Sequence, residues 1–147
     1  MILDKLSLLS DEQAITATAA STNVYDLGAP GVVPYGNIQL RKRLGKSDCK
    51  IPLLIQVVED FDNLTSLDIA IETDDNSGFS SPKEVISHNV LLADLVAGYI
   101  CPIENLPRGV DEQYIRLKYT VNGAAPSQGK ITAGFVGGVD GSYQGNP

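Results

Sequence analysis

The sequence predicts an all-β chain, an antiparallel β-sandwich of jelly-roll type with at most one short helical turn. Three features carry that reading. Apolar residues recur mainly with a period of two, the pattern of strands that bury one face. The candidate strands are short and rich in Val, Ile and Thr, which suit a pleated surface. Turn signals such as Gly28-Ala29-Pro30-Gly31, Asp75-Asn76-Ser77-Gly78 and Pro107-Arg108-Gly109 divide them at the spacing of a sandwich.

In chain order, Ser10 to Gln13 has the form of a capping box, so residues 11–20 admit a helix, but Thr16, Thr18 and the small residues favour extended chain. Strands are therefore expected at Ala14–Ala19, Asn23–Leu27, Ile38–Arg43 and Leu53–Glu59. Leu67, Ile69 and Ile71 alternate with Ser66, Asp68, Ala70 and Glu72, which sends one face to a core and the other to water. Glu84–Asn89 is the next strand. Val90–Val96 carries a helical signal, with Leu91, Leu92, Leu95 and Val96 at helical spacing before Gly98. Tyr99–Ile103 reads as extended. Ile115, Leu117, Tyr119 and Val121 then alternate with polar neighbours up to Asn122-Gly123, which accepts positive φ. Lys130–Val136 follows, and the two runs are expected to pair as a hairpin through a long loop.

At 147 residues one domain is expected, and a chain of this size buries about 70% of its unfolded surface without a staple. We place that domain at residues 1–136, with 1–13 open to being an N-terminal extension. The final segment, 137–147, reads GGVDGSYQGNP and lacks the side chains to offset its ordering entropy, so it is expected to be a flexible C-terminal arm. The longest apolar run, Val90 to Ala93, is far below the roughly 20 residues that span a bilayer, so no membrane partner is expected. Asp4, Lys5, Asp11 and Glu12 interrupt the apolar core that an export signal needs. Cys49 and Cys101 lack metal-ligand spacing and are expected as reduced thiols.

The inventory for catalysis is thin. His88 is the single imidazole, with no Gly-x-Ser-x-Gly elbow, and it reads as a half-exposed strand residue. Glu59, Asp60, Asp62, Asp68 and Glu72 read as a solvated acidic face. Asp74, Asp75 and Asn76 lack the spacing of a calcium loop and read as turn residues that bond their own backbone. We therefore expect no enzyme activity, no metal and no cofactor. Charge is unevenly distributed: the net value is −7, yet Arg41, Lys42, Arg43, Lys46 and Lys50 fall within ten positions. Without an interleaved aromatic platform this run is not expected to bind nucleic acid. It suits an acidic protein surface, or protection of a strand edge.

The order of many short segments resembles the capsid cement (decoration or stabilisation) proteins of short-tailed bacteriophages. The matching pieces are Met1–Lys5, Ser10–Ala14, Thr16–Val24, Pro52–Leu53 leading into Gln56–Val57, Leu67–Thr73, Phe79–Ser80, Leu95–Gly98, Leu106–Pro107, Gln113–Tyr119, Gly123 and Lys130–Gly134. The likeness covers most of the chain but not its last ten residues. It implies a non-enzymatic β-sandwich on the capsid exterior, made in the host cytoplasm, that ties major capsid protein subunits together as a homo-oligomer, a dimer rather than a trimer. Capsid contacts are expected from the N-terminal segment, from the basic run with Arg41, Lys42, Arg43 and Lys46, and from the C-terminal arm anchored by Tyr143, since tyrosine offers large amphipathic area at low entropy cost. A carbohydrate- or receptor-binding β-sandwich module of a phage tail or fibre is the alternative.

Overall fold

The computed structural model describes residues 3–29, 31, 44 and 50–137. It contains two antiparallel sheets and one short 3₁₀ turn, so the all-β sandwich is borne out. The first sheet has the order β1 (Leu3–Ala14), β8 (Lys130–Val136), β4 (Leu53–Glu59). The second runs β2 (Ala19–Ala20), β7 (Tyr114–Gly123), β5 (Leu64–Asp74), β6 (Lys83–Leu91), and β3 (Tyr25–Asp26) also pairs with β7.

The period-two residues do the packing. Leu53, Ile55, Val57, Ile131 and Ala133 of the first sheet face Leu67, Ile69, Ile71, Ile115, Leu117 and Tyr119 of the second, all buried in one cluster. Burial of this kind contributes about 25 cal/mol per Å² of apolar area. Leu95 and Cys101 close the sides. One hydrogen-bonded chain crosses the apolar layer: the Tyr119 hydroxyl lies 2.8 Å from Ser10 Oγ, which donates to Gln13 Oε1 at 2.8 Å. Because Ser10 spends its proton on Gln13, Tyr119 is the donor in the buried bond. Burial pushes the Tyr119 phenol far above its ordinary range, so it stays protonated.

Several expectations need correction. β7 and β8 are not a hairpin, since they sit in different sheets. Their connection is pinned instead by the Asp62 carboxylate, which accepts the Ser127 N–H at 2.6 Å, the Gln128 N–H at 3.2 Å and the Ser127 hydroxyl. Gly129 then lies flat against the Phe61 ring at φ +129°, where a Cβ would overlap the ring. This close approach turns the chain across the core rather than back along β7.

Ala14–Ala19 is not one strand: β1 ends at Ala14, and residues 15–18 form the corner into β2. The box-like Ser10 and Gln13 do bond each other, but inside a bulged strand in which Glu12 adopts φ +44°. Tyr99–Ile103 is extended alongside β4, with Cys101 N–H donating to Ile55 O at 2.9 Å, yet Pro102 removes a donor and only isolated bridges form. The face of β5 assigned to water is only partly wet: Ala70 and Ser66 are buried. The loop after β5 carries Phe79, over which Arg116 stacks at 4.0 Å while pairing Glu72 at 2.7 Å.

Candidate partner-binding surfaces

The residues singled out for chemistry are placed as structural elements. His88 is half-buried on β6, opposite Ile69. Asp68 is held between two amides, accepting from Asn89 at 2.5 Å and Asn122 at 2.9 Å. Asp74 Oδ1 accepts the Asn76 N–H and Oδ2 the Ser81 N–H, each at 2.9 Å, and Asn76 Oδ1 accepts the Gly78 N–H at 2.7 Å. These bonds hold the Asp74 carboxyl below its ordinary range, the Asn76 N–H contributing most. Glu112 is shifted the other way, first by burial and then by Asp75. Among the described residues no group of three or more His, Cys, Asp or Glu side chains could hold a metal ion. Cys101 is a free, buried thiol, and desolvation pushes its titration up. No described helix is long and apolar enough to cross a membrane.

The expected contact residues Arg41, Lys42, Arg43, Lys46 and Tyr143 lie outside the described residues, as do Cys49, the Ile38–Arg43 strand and the arm beyond Gly137. Two described positions, Leu44 and Lys50, fall within the basic stretch 41–50. Leu44 bridges to Val110, its N–H donating to Val110 O at 3.0 Å, and Lys50 precedes Ile51.

Two exposed apolar patches stand out among the described residues; the first falls in the N-terminal segment expected to make contacts, and the second was not foreseen from the sequence. The first is built by a bulge. Between Leu3 and Leu8, β1 advances five residues while β8 advances two, from Val136 to Gly134, so three extra residues leave the ladder. The knuckle is held in shape: Leu6 N–H donates to Asp4 Oδ1 at 3.3 Å, and Ser7 Oγ lies 2.9 Å from the carbonyl oxygens of both Asp4 and Phe135. Gly134 permits this approach, since a Cβ there would sit 2.8 Å from Ser7 O. Leu6 stands at the tip, 86% exposed, with Leu3, Val24 and Tyr25 also exposed nearby. It borders an open cleft of about 630 Å³ shared with Lys5, Leu8, Asp11 and Val24. Beside it lies an apolar hollow of about 210 Å³ lined by Tyr25, Leu27, Leu44, Ile51, Leu106 and Phe135. Tyr25 meets Phe135 edge-on at 5.1 Å.

The second patch lies at the other end of β4. Val58 occupies a bulge opposite β8, and the adjoining chain is fixed by Val57 N–H donating to Tyr99 O at 2.9 Å and Gly98 N–H to Val57 O at 2.8 Å. This leaves Val58, Val96 and Ile100 exposed. Asp60, which accepts the Ala97 N–H at 2.7 Å, and Asp94 flank them. The two patches lie toward opposite ends of β4, a strand whose six steps span roughly 20 Å.

Fold and surface together define an all-β sandwich with two separate exposed apolar patches among the described residues. Residues 9–136 match the Bbp16 family, and the chain belongs to it. That membership marks a phage-related protein. Among solved structures, the crystal structure of PBSX exported protein XepA is similar over 100% of this chain and 44% of that one, at 16% identity and a TM-score of 0.39. This chain thus spans less than half the length of that protein. No curated protein matches.

Proposed function

We propose that this is a non-enzymatic structural protein that binds the outside of a phage capsid and ties neighbouring major capsid protein subunits together. It acts as a symmetric homo-oligomer, a dimer rather than a trimer, on the virion exterior after synthesis in the host cytoplasm. The observation that carries the reading is the pair of exposed apolar patches on one rigid sandwich. Clustered exposed apolar surface marks interaction sites, and a dimer that ties neighbours together needs one surface for the capsid and another for its own second copy. Family membership and the resemblance of the sequence supply the phage setting.

The mechanism follows from mass action. A ligand that binds the assembled shell and not its separated subunits stabilises the shell by its differential affinity. Two linked attachments raise occupancy through effective concentration, so each contact can be modest. The Val58–Val96–Ile100 patch is assigned to the capsid, assisted by the basic 41–46 run and Tyr143. Val58→Asp with Ile100→Asp places charge in that contact, and co-sedimentation with purified capsids should fall by about tenfold or more in affinity. Unchanged occupancy of the variant would contradict the assignment.

A further inference from the structure

We propose that the Leu6 knuckle and the apolar hollow beside it form one self-complementary surface that closes on a second copy of this chain, each Leu6 entering the hollow of the other copy. The inference rests on the homo-oligomeric part of the proposed function and names its interface.

The shape of the knuckle is the first argument. Leu6 is 86% exposed on a bulge whose backbone and Ser7 hydroxyl are already fixed, so presenting it to a partner costs little further ordering. The hollow is the second. At about 210 Å³, with six apolar or aromatic side chains around it, it exceeds the roughly 150 Å³ of an apolar cavity known to accept benzene, and so has room for a leucine side chain.

Adjacency supplies the symmetry. Ser7 Oγ rests on the carbonyl of Phe135, whose ring lines the hollow, so knob and hollow share one edge of the molecule. A two-fold axis beside that edge would pair knob with hollow twice, which is the isologous arrangement of dimers. The same contact would cover Leu3, Val24 and Tyr25, so four of the nine exposed large hydrophobics among the described residues would leave water together.

Charge fits the same partner. Asp4 and Lys5 flank the knob, while Lys50 adjoins the lining residue Ile51 and Glu104 lies two positions from the lining residue Leu106; all four are exposed. Among the described residues none of the four makes a salt bridge. Swapping knob and hollow between copies sets Asp4 and Lys5 of one copy beside Lys50 and Glu104 of the other, and the proposed register is the one that faces Lys5 with Glu104 and Asp4 with Lys50, opposite signs in both cases.

The test is sedimentation velocity on the full chain across micromolar concentrations. The wild type should form a reversible dimer. Leu6→Ser, at a position this exposed, should keep the wild-type circular dichroism, and the wild-type melting temperature when both are measured at concentrations where the wild type is monomeric, yet weaken dimerisation by about tenfold or more. Lys5→Glu should also weaken it, and adding Glu104→Lys should restore it. A dimer whose dissociation is unmoved by Leu6→Ser and Lys5→Glu would overturn this surface while leaving the oligomeric reading intact. A wild type that stays monomeric would overturn both. Capsid occupancy, measured separately, reports on the capsid reading alone.

Discussion

Ser10 and Tyr119 join the two sheets through a buried bond, and removing either partner should have unequal consequences. Tyr119→Phe deletes the donor but leaves Ser10 bonded to Gln13, so the loss is that of one ordinary hydrogen bond, about 1 kcal/mol. Ser10→Ala strands the Tyr119 hydroxyl in a site where the residue has no measurable exposure, and an unsatisfied buried donor costs about 2 kcal/mol. The same change takes one donor from Gln13 Oε1, which keeps the Thr22 N–H at 2.9 Å. The double variant removes both polar partners, so it should cost less than the sum of the singles by about 0.5–1 kcal/mol. Urea denaturation followed by circular dichroism measures all three, and each kcal/mol corresponds to about 2–4 °C in Tm at this length. A Ser10→Ala loss no larger than that of Tyr119→Phe, or strict additivity, would refute the direction of the bond and its burial.

Other outcomes follow from named contacts. Gly129→Ala combines a positive φ with a Cβ driven into the Phe61 ring, and should cost about 3 kcal/mol in the same denaturation assay. Asp62, held down chiefly by the Ser127 hydroxyl, and Asp74, held down chiefly by the Asn76 N–H, both titrate below the ordinary 3.8. A lowered folded value gives stability that is present above 3.8 and lost as pH falls through it toward the folded values. Thermal scans from about pH 5 to about pH 2 should therefore show a shallower acid decline for Asp62→Asn and Asp74→Asn than for the wild type. Deleting residues 137–147 should weaken capsid attachment in co-sedimentation while leaving the melting temperature unchanged.

Much of the fold was legible because its strands bury one face. Leu53–Glu59 and Lys130–Val136 match β4 and β8, and the Leu67, Ile69, Ile71 alternation marks β5. The turn expected at Asn122-Gly123 ends β7, with Gly123 at φ +95°. The pairing of β8 was not legible. A strand that alternates Ile131 and Ala133 with Thr132 and Gly134 fits any partner, and the choice came from Asp62 and Phe61, remote in sequence. β1 was missed as a whole because three register shifts break its period, and its Leu6 faces water for the same reason. Neither patch could be read from residue types alone. Leu6 and Ile100 look like core residues until bulges and a proline set the faces they occupy.

The central claim is attachment to an assembled shell, and the most direct measurement is quantitative co-sedimentation of the full-length protein with purified capsids that lack it, with a glycan array run in parallel. Saturable binding to capsids, in fixed stoichiometry to the major capsid protein and with no glycan signal, is the predicted result. Absence of capsid binding at concentrations where the protein is folded, above all with a defined glycan hit, would contradict it.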